Sequence, residues 1–372
     1  MNFILARFSP GLRTLGAALE EVKGIGPGFD SLRILLSISV VIWHGVHISY
    51  GSRYEEHVWH DSVPGALAAT VLPVFFALSG FLVMASAVRT QSLRRFLAFR
   101  VLRIAPALTT EVLLSALVLG PLLTSLPLSD YFSSPLFFRY FANVFGLISY
   151  QLPGVFTTNP SPLVNFSLWT IPPELGCYFY MALCIVTGIY LRRRKMMLGM
   201  FIVLLIIGCR KYLSHQHLIL AAPGQDNLFL CFILGNLFYL YREKIVLDWR
   251  LFVLALAGGA YCIQNPLLIY LGSLLLTYCT VYLGLCRIPR LPLMDRGDYS
   301  YGIYLYGFPV QQTVAYLFPA SREWYLNALF SLPVIIALAA LSWHIIERPS
   351  LSLKKVLQGR RAKAIQADSA LG

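Results

Sequence analysis

The chain has 372 residues, 57% of them hydrophobic and only 13% charged, with a mean hydropathy of +0.67. Such a chain is too apolar for a water-soluble fold and reads as a polytopic membrane protein. Its formal net charge of +13 does not call for nucleic acid, because the basic residues fall where a membrane protein needs them to set its topology.

Apolar runs long enough to cross ~30 Å of hydrocarbon recur at 31–50, 64–88, 105–126, 168–191, 196–213, 225–241, 251–263, 266–285, 300–319 and 327–346. They predict an all-α polytopic membrane protein with about ten transmembrane helices. The seventh run is short and is parted from the eighth only by Gln264, Asn265 and Pro266. A tight helical hairpin and a single re-entrant element are both open there. If the N-terminus is cytoplasmic, only five of the 30 basic residues, Arg53, Arg139, Arg210, Lys211 and Arg322, face the other side. That asymmetry predicts both termini in the cytoplasm and an even number of spans. Residues 1–28 lack the pattern of a cleavable signal and read as a cytoplasmic or interfacial arm. Residues 29–349 form the integral membrane domain, and 350–372 a basic cytoplasmic tail.

The first span, in FDSLRILLSISVVIWHG (29–45), opens with Asp30 and Arg33 and carries His44 in its middle. His44 is eleven steps beyond Arg33, which is ~16 Å of helix and a return to within ~20° of the same face. An ionisable group that deep is a functional candidate by default; a neutral histidine bonded to a neighbouring helix is the competing reading. The second span places Ser79 and Gly80 in FFALSGFLV, where small residues permit close approach of a helix or a ligand. After it comes the basic helix RTQSLRRFLAFRVLRIAP, in which Arg100 and Arg103 share a face. Such a pair is suited to gripping phosphates, and equally to snorkelling toward headgroups.

The longest external loop, about 127–167, is rich in Pro, Ser and aromatic residues and is expected to lie along the membrane surface. It leads into NFSLWTIPPELGCYFY (165–180), with Trp169 at the interface, Pro172 and Pro173 breaking or restarting the helix, and Glu174 inside the apolar run. The ninth span opens with Ser300, Tyr301 and Tyr304 in DYSYGIYLYGFP, and the tenth closes with His344 and Glu347 in WHIIERPSL. Glu347 followed by Arg348 is readable as an interfacial ion pair. The seven cysteines have neither metal nor disulfide spacing. His57 and His60 have a metal-like spacing but no third ligand in view, so no metal is expected.

Taken together and in order, FDSLR with His44 eleven residues beyond Arg33, FFALSGFLV, FRVLRIAP, LWTIPPEL, SYGIYLYGFP and IERP resemble the membrane acyltransferase type 3 family. That family includes bacterial O-antigen, exopolysaccharide and Nod-factor acetylases. The resemblance covers about residues 29–349. It implies a ten-span enzyme of the inner (plasma) membrane that moves an acyl group, commonly acetyl from cytoplasmic acetyl-CoA, to a hydroxyl of a free or lipid-linked envelope glycan. The acyl-CoA is a donor substrate, and no tightly bound cofactor is implied.

By the same resemblance Arg33 and His44 match the family's essential pair. Arg100 and Arg103 match its donor-handling arginines, and Trp169 and Glu174 its fourth-span motif. The chain departs from many relatives at Gly307, where they carry histidine, and it has no fused esterase-like domain.

Acyl transfer from a thioester to an alcohol needs a base and groups that stabilise an oxyanion. A neutral imidazole, the form a desolvated site favours, makes His44 the expected base. Glu174 is the expected orienting or relay group for it, while Arg100 and Arg103 would hold the CoA phosphates. Arg33 would help with the donor or pair with Asp30. Direct transfer and an acyl-histidine intermediate both remain open. The competing function is a transporter or flippase of a lipid-linked glycan with His44 and Glu174 as a proton relay, although no second copy of either motif gives the internal repeat common in such folds. No motif reads out a particular sugar or an oligomeric state.

Overall fold

The computed structural model describes residues 13–22, 24, 26–52, 54, 62–213, 224–265, 267–288 and 297–354. Among them each predicted apolar run lies on a helix. These helices are α2 (Phe29–Tyr50), α3 (Val63–Thr90), α4 (Leu93–Leu123), α7 (Ile171–Val186) and α8 (Arg193–Leu213), then α9 (Gln225–Leu240), α10 (Trp249–Gln264), α11 (Ile269–Leu285), α12 (Ser300–Leu317) and α13 (Trp324–Lys354). Three short helices complete the set: α1 (Leu15–Glu21), α5 (Leu128–Ser133) and α6 (Pro135–Tyr140). By length and composition, α2, α3, α4 and α13 are long and apolar enough to cross a membrane. The protein is an all-α membrane protein whose described strands amount to a single antiparallel pair, β1 (Arg13–Thr14) with β2 (Val246–Leu247).

Two kinds of contact hold the bundle. Where helices must approach closely, glycine removes the obstacle: α3 crosses α9 with Gly80 against the Phe232 carbonyl and Gly235 against the Ala77 carbonyl. A Cβ at either glycine would sit 2.0 or 2.2 Å from that oxygen. Elsewhere buried polar side chains bridge helices, as a lipid environment requires of any polar group. Ser37 Oγ of α2 donates to the Ser300 carbonyl of α12 at 2.8 Å, and Gln311 Nε2 of α12 donates to the Val41 carbonyl at 2.9 Å. The seventh and eighth runs lie on two separate helices, α10 and α11, with Asn265 at the turn after the first: its N–H bonds the Cys262 carbonyl and its Oδ1 accepts from Leu267 N.

The N-terminal arm, as far as it is described, is part of the bundle. Thr14 caps α1 by accepting from Ala17 N, and Leu15, Ala18 and Leu19 join the main core. The segment 127–167 packs around buried Tyr131, whose hydroxyl donates to the Ala116 carbonyl of α4 at 2.7 Å, and buried Tyr140. Phe138 and Phe145 on its outer side are 62% and 79% exposed, a cost in water that lipid removes. Pro172 and Pro173 occupy the first turn of α7, so they start the helix rather than break it.

Candidate active site

One cavity of about 150 Å³ lies among α2, α3, α4, α7 and α12. Its polar wall is made by Arg33, Arg100, Arg103, Glu174, Ser300 and Tyr304, with Ser79 opposite. Thr170, Tyr178 and Tyr301 add further polar atoms, and the apolar lining includes Leu72, Phe75 and Phe76 of α3 and Ile104 and Ile171 of the neighbouring helices. Eight residues singled out in the sequence, Tyr301 among them, therefore meet around one space.

The three arginines are held very differently. Arg103 is bound on both sides, its Nη2 2.7 Å from Asp298 Oδ2 and its Nη1 3.6 Å from Glu347 Oε2. Arg33 reaches the same Asp298 oxygen at 3.3 Å and also Asp30 at 3.6 Å. Arg100 has no carboxylate within ion-pair distance among the described residues. Its guanidinium lies over the rings of Tyr178 and Phe96 at 5.6 and 5.8 Å, and its buried Nε has no hydrogen-bond partner.

Asp298 is the hub that reading the sequence did not single out. Besides two arginines, it accepts the hydroxyl of Ser300 at 2.5 Å and the Ser300 N–H at 3.3 Å. Burial alone would raise its carboxyl, but Arg103 and Arg33 beside it and the Ser300 bonds hold it well below the usual carboxylate range. The available signal was Asp two residues ahead of Ser300 at the start of a span, the pattern of a carboxylate that anchors a helix's first turn.

Glu347 does not pair with Arg348. It is 2% exposed and turns inward to Arg103 from a π-helical turn, Trp343–Glu347, a backbone device that re-aims a side chain. Asp30 stays on the exposed edge. Trp169 packs against the main core from the 3₁₀ turn Phe166–Thr170 and is not part of the cavity wall. His57 and His60 lie outside the described residues.

His44 is on the α12-facing side of α2, as is Arg33: along that side Arg33 meets Asp298, Ser37 meets Ser300, and His44 meets Phe308, edge-on at 5.2 Å. It is not part of the cavity wall. Its ring is 8% exposed, stacks beside Trp43 at 6.5 Å, and makes no hydrogen bond to any described residue. Nor does Glu174 orient it. Glu174 accepts from Tyr178 Oη at 2.5 Å, one turn along its own helix, and belongs to the arginine cavity. The two groups read as partners in the sequence thus belong to separate layers.

Tyr304 Oη on the cavity wall bonds Thr170 Oγ1 at 2.7 Å and the Ser167 carbonyl at 3.0 Å. Buried Asn165 donates to Glu111 Oε1 at 2.9 Å and to the Leu305 carbonyl at 3.0 Å, tying α4 to α12. Glu111 is 1% exposed and also accepts from Ser115 at 2.8 Å. Glu111 carried the signal of an ionisable residue inside an apolar run, 105–126, whereas Asn165 carried none, and their pairing spans 54 residues.

A helical membrane bundle with a cavity walled in part by arginines, and a buried histidine outside that wall, defines a class: a membrane protein with a buried charged site. Residues 27–347 match the family described as acyltransferase domain, so the chain belongs to that family and is an acyltransferase. Two relatives are similar over nearly its whole length. The O-acetyl transferase of Shigella phage Sf6 is 27% identical over 345 residues, covering 87% of this chain and 96% of the relative. Nodulation protein 10 of Rhizobium leguminosarum bv. viciae is 27% identical over 378 residues, covering 93% and 99%. No solved structure matches the chain.

Proposed function

We propose that this acyltransferase takes an acyl group, most simply acetyl, from acyl-CoA on the cytoplasmic side and places it on a hydroxyl of an envelope or exported glycan. Its similarity to a phage O-acetyl transferase supports acetyl as the group and oxygen as the acceptor atom. Ten spans with both termini in the cytoplasm of a plasma-membrane protein is the topology that goes with it. In its support are ten helices on ten apolar runs and a basic-residue asymmetry that leaves five of 30 on the far side.

The observation that carries the donor assignment is Arg100. It is a cation whose buried Nε lacks a partner, on the wall of a mostly apolar cavity, which suits a molecule with phosphates at one end and an apolar arm at the other. Arg103 and Arg33 are already paired, sharing Asp298 and reaching Glu347 and Asp30 respectively, so their work is to shape the mouth and lend field rather than to bind alone. Glu174, held by Tyr178, acts within the donor cavity, setting the charge balance around Arg100.

His44 is the general base. The acceptor oxygen attacks the thioester carbonyl carbon as the imidazole takes the hydroxyl proton. The C–O bond forms, the C–S bond breaks, and the proton passes to the departing thiolate, leaving ester and CoA thiol. An imidazole free of hydrogen bonds to described residues has the acceptor position that this step needs.

The test is the content of base-labile acyl esters on envelope glycans, by mass spectrometry, in cells carrying wild type, His44→Ala or no copy. Esters found only with wild type, at equal membrane levels of the variant, are expected, and their mass identifies the acyl group. Identical glycans in all three would overturn O-acylation of those glycans.

A further inference from the structure

Along α12 the cavity wall runs from Ser300 to Tyr304, the last residue of that helix to line it. Arg33 and Ser300 belong to the arginine end, and Tyr304 lies one turn further along α12. Its ring meets Phe75 of α3 edge-on, with centroids 6.2 Å apart, so two aromatic rings from opposite walls converge at the same level. The ring is not free to swing aside at no cost, because its hydroxyl is pinned to the 3₁₀ turn by Thr170 Oγ1 at 2.7 Å and the Ser167 carbonyl at 3.0 Å. Both bonds would have to break inside an apolar bundle, where replacement partners are scarce. Four residues on, ~6 Å along the helix, Phe308 carries the edge contact to His44.

We propose that Tyr304, backed by Phe75, is the specificity-determining residue for acyl length: it forms the end wall against which the acyl group of the donor stops. The proposal rests on the reading of the cavity as the acyl-CoA site. With the donor's phosphates at Arg100, the pantetheine arm runs along the apolar wall and the acyl group is the part that reaches Tyr304. A short acyl group fits beneath the pinned ring. A longer one must displace it or leave the thioester carbonyl short of its reacting position, and a misplacement of about 1 Å already costs roughly 100-fold in rate.

The experiment supplies membranes containing wild type, Tyr304→Phe, Tyr304→Ala or Phe75→Ala with equimolar acetyl-, butyryl- and hexanoyl-CoA. It reads the ratio of longer to acetyl ester formed on the glycan fraction by mass spectrometry. Opening the end wall is expected to raise the butyryl-to-acetyl ratio by about tenfold in Tyr304→Ala, the worth of accommodating two methylenes. Tyr304→Phe keeps the ring but frees it, so a smaller rise of about twofold to threefold is expected.

Should Tyr304→Ala fail to accumulate, Phe75→Ala on the opposite wall decides, with the same direction expected. Ratios equal to wild type in every variant that retains transfer overturn the proposal. A wild type that transfers no acyl group from any of the three donors overturns the donor-site reading itself, and the length proposal with it.

Discussion

The Asp298 carboxylate lies between two arginines from different helices, 2.7 Å from Arg103 and 3.3 Å from Arg33. One oxygen thus joins α2, α4 and the entry of α12 at the mouth of the cavity, and the other accepts from Ser300. Replacing it by asparagine leaves Arg103 with only Glu347 and Arg33 with only Asp30, each at 3.6 Å. Asp298→Asn is expected to lower stability by about 3 kcal/mol, since removing one partner of a largely buried ion pair strands the other. Acyl transfer should fall by roughly tenfold or more. The melting midpoint of detergent-solubilised protein and the ester yield per unit of protein check both.

The same group sets a pH dependence. Its carboxyl is held well below the usual range by Arg103 and Arg33, which outweigh the burial that would raise it. A depressed folded value means that its stabilisation is complete above the unfolded value, about 3.9, and is lost as pH falls below that toward the folded one. The gap in melting midpoint between wild type and Asp298→Asn should therefore stay constant from pH 8 to pH 5 and narrow only below about pH 4. A gap that closes between pH 7 and pH 5 would mean that the carboxylate is not held by the arginines.

Arg100 and Arg103 match the same family motif but should behave differently when removed. Arg103 is paired with Asp298 and Glu347, so Arg103→Ala is expected to lower both stability and activity. Arg100, without a carboxylate partner among the described residues, should show a KM effect. Arg100→Ala raises the apparent KM for acetyl-CoA by roughly 10- to 100-fold, the worth of one or two charge-assisted hydrogen bonds, with little change in melting midpoint. Kinetics on reconstituted protein, alongside thermal melts of the two variants, separate the roles.

The α3–α9 crossing gives a stability test far from the chemistry. A Cβ at Gly80 would lie 2.0 Å from the Phe232 carbonyl oxygen, an overlap that backbone must move to relieve. Gly80→Ala is expected to cost about 1–3 kcal/mol. Gly176→Ala, with nothing within 4 Å of the added carbon, should be near neutral. Melting midpoints of the two variants, measured together, discriminate a packing glycine from an incidental one.

Much of this was legible in the sequence because lipid imposes a simple rule: an apolar run of the right length becomes a helix. Arg33, Arg100, Arg103, Glu174 and Ser79 stood out because charged or small residues break those runs, and they do share one cavity. The shared face of Arg33 and His44 followed from helix geometry, and both do point toward α12. The pairing of His44 with Glu174 failed for a physical reason. Spacing along a chain reports which face a residue occupies on its own helix, but not its depth relative to a residue on another. The long-range partners of Asp298 and of Glu111 were illegible for the same reason, since those contacts join residues 54 to 265 apart.

The most direct test of the account supplies acetyl-CoA carrying an isotopic label in the acetyl group to inverted membrane vesicles. The label is then followed into alkali-labile ester on the vesicle glycans. Label is expected to enter ester with wild type, to be lost with His44→Ala, and with Arg100→Ala to return only at much higher donor concentration. Equal labelling of vesicles with wild type and His44→Ala, or none with wild type in the presence of its native glycan, would contradict the central claim that this protein moves acetyl from CoA to a glycan hydroxyl through His44.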